Sequence, residues 1–214
     1  MLAKLTGVLH RNPVTSTVLL LACGMALVLT SMINLSRQTS RQLAEQFVST
    51  YVMSLDGFQA AYSESVVSRL RGSGVEITHD YHDRKLAVPL PATFSIELAE
   101  RLTDPDSGLV TRVYSDYPFR PRTDGGPRDD YEREALVVFR AAADPQQPYI
   151  RYARVNGRES LRYSSAMLMA ENCVACHNSH PQSTRTDWKV GDVRGVRSVV
   201  YPLDSLADSV RSGW

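Results

Sequence analysis

An uncharged apolar run near the N-terminus limits what this chain of 214 residues can fold into. No charged residue lies between Arg11 and Arg37, and residues 14–33 form a continuous stretch of 20 largely apolar residues. At about 1.5 Å of rise per residue, a helix of this length spans roughly 30 Å, which is the thickness of a bilayer core. The sequence therefore predicts a membrane-spanning helix in this segment.

Three interpretations of the apolar run compete. We favour an uncleaved signal anchor at 14–35, with residues 1–13 cytoplasmic and residues 36–214 on the other side of the bilayer. A cleaved signal peptide is the second, but the run is long for one and no A-x-A site follows it. A lipoprotein signal ending at Cys23 is the third, but the apolar run continues past this cysteine, which fits a small apolar residue inside the helix.

Charge and cysteine content exclude several classes of protein. The chain has 24 Lys and Arg against 23 Asp and Glu, for a net charge of +1, and without Lys4 and Arg11 the count is 22 against 23. Nucleic-acid-binding proteins normally carry a clear basic excess, so we expect no nucleic-acid partner and no electrostatic membrane contact. Three cysteines are too few for a disulfide scaffold.

The pattern of apolar and turn residues predicts an α+β fold with an antiparallel sheet. Residues 36–70 are expected to form one long helix, which ends at the glycine-rich segment 71–74. Asn156-Gly157 predicts a hairpin turn. Further helices are predicted around Phe94–Leu102 and at 131–142 and 164–176, and strands at 109–114, 149–155, 159–163 and 193–201. Segments 75–91 and 117–127 are expected to be irregular, with a turn at 104–108.

The motif Cys173-Val174-Ala175-Cys176-His177 has the spacing of a c-type haem attachment site. Two thiols one helical turn apart can add to the two vinyl groups of one haem, and the histidine that follows reaches the iron as the proximal ligand. A redox dithiol and half of a zinc site, with His180 as one further ligand, are the alternatives. Haem c attachment takes place outside the cytoplasm, so we expect residues 36–214 to be periplasmic and the protein to be a single-pass inner-membrane protein.

Residues 172–196 (NCVACHNSHPQSTRTDWKVGDVRGV) are more specific than the five-residue motif alone. They resemble a haem-c-binding, PAS-like domain family of bacterial membrane sensors, which is catalogued as a domain of unknown function and also occurs as single-domain cyanobacterial proteins. Segments 77–100, 113–136 and 157–173 resemble the same family, and the resemblance covers residues 45–203. It implies a PAS-like antiparallel sheet with flanking helices and one covalent haem held against the C-terminal half.

The sequence departs from this family in two ways. Its sensor proteins carry an output domain across the membrane, whereas only 13 residues precede the span here and the chain stops soon after the last strand. We therefore expect a signal or electron to pass to a partner membrane protein. Cys23 is the only cysteine outside the motif and lies in the span, so we do not expect a thiolate as the sixth ligand of the iron.

Several side chains are candidates for the sixth position. They are Met53, His79, His82 and Met167, and an open position is the remaining alternative. Met53 is otherwise expected to pack in the core, and His79 and His82 to hydrogen-bond the aspartates beside them. His180 is expected to order the loop before Pro181 rather than to bind metal.

Haem propionates need cations or hydrogen-bond donors, and bulky aromatics wall haem pockets. By their loop positions, the candidate cations are Arg120, Arg122, Lys189 and Arg194. Trp188 and Tyr163 are the candidate wall residues.

The sequence supports two functions nearly equally. The first is a redox-sensing or gas-sensing haem module that acts through a membrane partner, and the second is a one-electron carrier, a cytochrome c subunit of a membrane redox complex. A haem enzyme such as a peroxidase, with His79 and Asp80 or Asp83 as the acid–base pair, is a minor alternative, and we expect no catalysis. The heptads of the long helix are too irregular to predict an oligomeric state.

Overall fold

The computed structural model describes residues 13–103 and 107–204. The predicted cytoplasmic segment 1–13 lies outside these residues except for Pro13, and so does most of the predicted turn at 104–108. The described residues divide between Leu43 and Ala44 into two compact units. Each unit is described by itself.

The first unit is the N-terminal part of helix α1, which extends over Pro13–Tyr62. Among the described residues, one helix is long and apolar enough to cross a membrane, and it contains this run. Its apolar side chains are exposed, with Leu20 at 70% and Met25 at 65%. The predicted apolar helix is thus confirmed, and its length and composition fit either a single membrane span or a signal sequence.

From Ala44 onward, α1 packs through a stripe of small and branched side chains. Ala44, Val48, Val52 and Leu55 are each at most 2% exposed, at helical spacing. The larger side chains that indicated the helix in the sequence lie beside this stripe, and Phe47 is 46% exposed. Small side chains on the buried stripe let the helix axis approach the sheet closely, which explains why the aromatic positions flank the interface.

The predicted end of the long helix is confirmed. A π-helical turn at Ser63–Val67 and a short helix α2 at Ser68–Leu70 follow α1, and Gly72 and Gly74 then adopt positive φ. The segment expected to be irregular forms a parallel pair of short strands, β1 at Glu76–Thr78 and β2 at Ala87–Pro89, around a 3-10 turn at Tyr81–Asp83. Short paired strands of this kind depend on tertiary contacts and leave little pattern in a sequence.

The main sheet has four strands, all antiparallel, in the order β3-β6-β5-β4. The strands are β3 at Val110–Tyr114, β4 at Tyr149–Val155, β5 at Arg158–Leu168 and β6 at Val193–Pro202. The remaining helices are α3 at Pro91–Leu102, α4 at Asp130–Ala141 and α5 at Glu171–Ser179. The predicted hairpin is confirmed, since Asn156 and Gly157 have φ of 51° and 82°. The α+β class with an antiparallel sheet is confirmed as well.

The prediction of a helix over 164–176 is wrong in its first part. Residues 164–168 continue β5 and pair with β6, from Ser164 opposite Ser198 to Leu168 opposite Val193. α5 begins only at Glu171. The serines and methionines of this stretch have no strong local preference, so pairing with β6 decides the conformation.

Both faces of the sheet are covered. On one face, Val199 and Leu161 pack with the buried stripe of α1, and on the other, Val196 packs with Leu136 and Phe139 of α4. The connection from β5 to β6 contains α5. This connection places the Cys-x-x-Cys-His motif at the end of the sheet where β6 begins.

Gly195 of β6 lies where no side chain fits. A Cβ atom there would lie 2.6 Å from the carbonyl oxygen of Tyr114 and 3.3 Å from the Cβ of Ser115. We expect Gly195→Ala to lower the free energy of unfolding by about 1–3 kcal/mol, because the end of β3 must move away. Urea unfolding followed by circular dichroism measures this change. The control is Gly126→Ala, where nothing lies within 4 Å, and equal losses in the two variants would contradict the explanation.

Candidate functional site

The motif residues lie on helix α5. Cys173 and Cys176 are both free thiols, half-buried, and their i, i+3 spacing places them on the same side of the helix. Burial raises the pKa of the Cys176 thiol, and the positive charge of Arg71 partly opposes this. The Cys176 thiol is therefore held in its neutral form, one helical turn from Cys173.

The start of α5 is attached to the end of the long helix. The amide of Asn172 donates a hydrogen bond to Ser63 Oγ at 3.1 Å, and the guanidinium of Arg71 donates one to the backbone oxygen of Asn172 at 3.2 Å. Ser63 begins the π-helical turn after α1. A π-helical turn inside a helix frequently marks a functional position, and here it supplies the contact with the motif helix.

His177 is held by an arginine from β6. Arg194 Nε donates a hydrogen bond to His177 Nδ1 at 3.1 Å. Burial, together with the positive charges of Arg194 and His180, lowers the pKa of His177 to about 3. At neutral pH the imidazole is therefore uncharged, and its lone pair on Nδ1 accepts from Arg194.

The ring of Phe119 lies against this imidazole and joins it to further residues. The ring of Phe119 lies 4.9 Å from that of His177 and is stacked at 4.9 Å on the ring of His180. The Arg194 guanidinium lies 5.6 Å from the Phe119 ring centre and 5.4 Å from that of Trp188, which is 3% exposed. We call these five residues, His177, His180, Phe119, Trp188 and Arg194, the His177 cluster.

Trp188 contacts Asn178 of the motif helix and lies near Arg194, and its role as a wall of the haem pocket stays a prediction. Phe119 was missed. Phe119 lies in the loop between β3 and α4, which the sequence marks only by its prolines and glycines. Two hydrogen bonds bring this loop to the motif, from Arg120 N to the Gln182 oxygen at 3.1 Å and from Thr184 Oγ1 to the Pro118 oxygen at 2.9 Å. An aromatic residue inside a polar loop was the only signal available.

Trp188 is fixed to the motif helix through its backbone. Asn178 donates to the Trp188 oxygen and accepts from the Trp188 nitrogen, each at 2.9 Å. We expect Asn178→Ala to lower the free energy of unfolding by about 1–3 kcal/mol, because both backbone groups lose their partner. In a Trp214→Phe background, Trp188 is the sole tryptophan, and its emission should shift to the red.

The control for this prediction is Asn156→Gly, which changes a second asparagine at the β4–β5 turn, where glycine tolerates positive φ. It should leave the emission of Trp188 unchanged. A red shift in the control, or none in Asn178→Ala, would contradict the proposed role of the asparagine.

Two arginines, Arg194 of the cluster and the nearby Arg122, carry positive charge at this site. Burial and the nearby Arg122 lower the pKa of Arg194 to about 10, and burial also lowers the pKa of Arg122. Arg122 donates to the Val113 oxygen at 3.0 Å, and Arg194 Nη1 donates to Ser115 Oγ at 2.8 Å. Among the described residues, neither guanidinium has a carboxylate within ion-pair distance. The site therefore holds two half-buried cations that favour an anionic group.

The other predicted binding residues do not belong to the His177 cluster. Arg120 and Lys189 have exposed side chains. Tyr163 is 6% exposed and belongs to the apolar cluster that also contains Val52 and Val199. The structure thus brings Trp188, Arg122 and Arg194 to the motif and places Tyr163 in the core between the sheet and α1.

His79 lies near the cluster, since its positive charge contributes to lowering the pKa of His180. Its Nδ1 atom is buried and has no hydrogen-bond partner among the described residues. The neighbouring Asp80 accepts instead from Arg84 at 2.8 Å and from Thr78, and these contacts lower the pKa of Asp80. The expected hydrogen bond between Nδ1 of His79 and an adjacent aspartate is therefore not formed.

The remaining ligand candidates make other contacts. His82 lies 3.6 Å from Glu97 and stacks on Tyr81, with a side chain 64% exposed. Met53 is 70% exposed, so its expected packing in the core is wrong. Met167 is half-buried on β5 opposite Gly195. Of these candidates, His79 is the one that interacts electrostatically with a residue of the His177 cluster, namely His180.

His180 fulfils its predicted structural role. Its Nδ1 accepts from the Gln182 nitrogen at 3.2 Å, and its backbone oxygen accepts from the Ser183 nitrogen at 3.0 Å. No group of three or more His, Cys, Asp or Glu side chains within residues 13–103 and 107–204 is placed to hold a metal ion. The geometry gives no support to the zinc alternative.

The fold and the site together define an α+β domain with a long apolar N-terminal helix and a Cys-x-x-Cys-His helix between the two central strands of its antiparallel sheet. A family model described as Tll0287-like (Tll0287) matches residues 24–202. The chain therefore belongs to the Tll0287-like family, a family of domains of unknown function. Comparison with curated proteins and with solved structures gave no match.

Proposed function

We propose that this protein binds one haem c covalently through Cys173 and Cys176, with His177 as the proximal ligand of the iron. The observation that carries the proposal is the presence of two free thiols, Cys173 and Cys176, and a neutral imidazole, His177, within five residues of α5. A neutral imidazole is the form that binds iron. When bound, the haem would supply one-electron chemistry or a site for a small gas.

The groups around the motif fit a haem. Phe119 and Trp188 provide aromatic surface beside His177. Arg122 and Arg194 are half-buried cations that have no carboxylate partner among the described residues, and haem carries two carboxylates that such cations bind. Nδ1 of His79 is one more buried polar atom without a hydrogen-bond partner among the described residues.

The location follows from the same chemistry. We propose that the apolar part of α1 is a single-pass anchor in the inner membrane, and that residues 36–214 form a periplasmic, PAS-like domain. The antiparallel sheet with helices on both faces supports the PAS-like assignment. The apolar run at 14–33 supports the anchor, and covalent haem attachment requires an extracytoplasmic compartment.

We assign the haem a sensing role in which a change at the iron reaches a membrane partner. The supporting observation is the attachment of α5 to the end of α1, through Asn172 with Ser63 and through Asn172 with Arg71. A shift of α5 would first displace the π-helical turn that follows α1. No catalytic role is proposed for the protein itself.

A one-electron carrier is the second candidate, and His79 favours it. Nδ1 of His79 has no hydrogen-bond partner among the described residues, and His79 interacts electrostatically with His180 of the cluster. Of the candidates, His79 is therefore the side chain that we assign to the sixth position of the iron. An iron with two protein ligands is closed to gases and suits electron transfer.

Absorption spectra of the full chain, produced with a haem c maturation system, test both proposals. A sensor of gases is expected to shift its reduced spectrum when CO is added, whereas a carrier is expected to leave it unchanged. His79→Ala should make a CO-inert iron reactive, and His82→Ala is the matched control because His82 faces Glu97. Absence of covalent haem would overturn the proposed function.

A further inference from the structure

The side of helix α1 that faces away from the sheet carries no charge over residues 46–61. The one charged residue in this range is Asp56, which accepts a hydrogen bond from Arg197 of β6 at 2.9 Å. We call the exposed residues between 46 and 61 the outward face of α1, and all of them are uncharged. Charged residues make up 22% of the chain, so a helix face of this length that served only as solvated surface would be expected to carry several.

Large apolar side chains protrude from the outward face. Phe47, Met53 and Phe58 are 46%, 70% and 54% exposed. The face of a helix opposite the core is normally polar or charged, and apolar side chains gathered on one exposed surface mark a contact with another molecule. The exposure of Met53, which the sequence did not predict, therefore fits a contact surface.

The hydroxyl groups on this face already have hydrogen-bond partners within α1. Thr50 Oγ1 donates to the backbone oxygen of Gln46 at 2.9 Å, and Ser54 Oγ donates to the backbone oxygen of Thr50 at 2.8 Å. Covering the face with an apolar surface would therefore leave neither hydroxyl without a partner. The outward face can be buried without the cost that polar side chains usually impose.

Gly57 forms a recess in the outward face. It follows the fully buried Leu55 by two residues, which at 3.6 residues per turn places it about 200° around the helix, on the side away from the sheet. A Cβ atom at Gly57 would meet nothing within 4 Å, so no contact within the described part of the chain requires a glycine. Glycine destabilises the interior of a helix, and close approach of another helix is the use that accounts for it here.

The lack of charge favours a second copy of the chain as the partner. Two helices that pair in parallel about a two-fold axis place each residue close to its own counterpart, so a charge on the face would meet a like charge. A surface for a different protein can instead carry charges complementary to that protein. The outward face also combines protruding side chains with a recess, which pairing with itself requires.

The size of the outward face sets a condition on this pairing. Residues 46–61 extend over about 24 Å of helix, and a helix is about 10 Å wide, so the face covers roughly 240 Å². Stable complexes bury about 800 Å² per partner, so the face alone does not hold a dimer in dilute solution. α1 also contains the apolar run, and anchoring in a shared bilayer would raise the effective concentration of one copy beside another.

We propose that the outward face of α1 pairs two copies of the chain, side by side and in parallel, in one membrane. The inference rests on the proposed membrane anchor and is independent of the haem. It gives Met53, Gly57 and Phe58 a role as contact residues between the copies.

Photo-cross-linking of the full chain in liposomes tests the pairing. Benzoylphenylalanine replaces Phe58 and, in a control chain, Val137, which is 67% exposed on α4. We expect cross-linked dimers from position 58 and only the background of random collisions from position 137.

Charge substitutions on the outward face identify the partner as a second copy. Ser54→Glu and Ser54→Lys each place like charges opposite each other in the pair, and each should lower the cross-linking yield from position 58 by about tenfold or more. A mixture of the two variants should recover the yield, because Glu then faces Lys. The matched controls are Ala141→Glu and Ala141→Lys at an exposed position of α4, which should leave the yield unchanged. Urea unfolding of the Ser54 variants should match wild type, since Ser54 is exposed.

Alkaline extraction of the same liposomes separates this inference from the proposed function. An extraction-resistant chain with equal yields at positions 58 and 137, or with Ser54 variants that cross-link like wild type, would overturn the pairing and leave the anchor and the haem standing. No recovery in the mixture would overturn the parallel arrangement. Release of the chain by alkali would overturn the anchor and the pairing with it, and the haem assignment is tested independently by intact mass.

Discussion

Replacement of both Cys173 and Cys176 by alanine is expected to abolish covalent haem, leaving the intact mass of the chain without the mass of a haem. The reason is that the two thiols supply the two thioether bonds, and among the three cysteines the third, Cys23, lies in the apolar part of α1. Each single variant should retain one thioether and a reduced haem content. Intact-mass spectrometry after production with a haem c maturation system measures all three variants.

The matched control is Cys23→Ala, which removes a cysteine from the chain without touching α5. It should carry haem at the wild-type level. Full haem content in the double variant, with a circular dichroism spectrum equal to wild type, would show that the motif is not the attachment site. Loss of haem in Cys23→Ala at an unchanged fold would contradict the assignment equally.

Arg197→Met is expected to produce the largest loss of stability. Arg197 is fully buried on β6 and donates to Asp56 at 2.9 Å, to Gln59 at 2.9 Å and to Ser95 at 3.0 Å. It therefore links the sheet to α1 and α3. Removing the guanidinium leaves the fully buried hydroxyl of Ser95 without its partner, which costs about 1–3 kcal/mol. Asp56 and Gln59 lose their donor as well, which adds to the loss.

Burial raises the pKa of Asp56 more than Arg197 lowers it. The ionised form of Asp56 is therefore destabilised by burial even in the wild type. Asp56→Asn in the Arg197→Met background removes this charge and should recover part of the lost stability. Urea unfolding of the domain, followed by circular dichroism, gives the free energies for this double-mutant cycle.

The control for this prediction is Arg133→Met. Arg133 forms an exposed i, i+3 pair with Asp130 on α4, and pairs of this kind contribute roughly 0.2–1 kcal/mol. A loss in Arg197→Met no larger than in Arg133→Met would contradict the role given to the buried arginine.

Elements with a strong local signal were predictable from the sequence. The apolar run, the glycines that end the long helix and the Asn-Gly turn each act within a few residues, and the structure confirms them. The bounds of β4, Tyr149–Val155, were predicted correctly because its side chains alternate between the two faces and the Asn-Gly turn follows directly.

Features that depend on distant residues were not predictable in the same way. The extension of β5 to Leu168 depends on pairing with β6, and β1 and β2 depend on each other. Phe119 reaches His177 only because two loops, far apart in the chain, are hydrogen-bonded together. The direction of the Arg194–His177 hydrogen bond is likewise a property of the folded site rather than of the motif.

The intact mass of the full wild-type chain, produced with a haem c maturation system that loads a reference cytochrome, tests the central claim most directly. The account predicts a mass increase of one haem per chain, and a peptide carrying that haem at Cys173 and Cys176. An unmodified mass, with the reference cytochrome fully loaded, would contradict it.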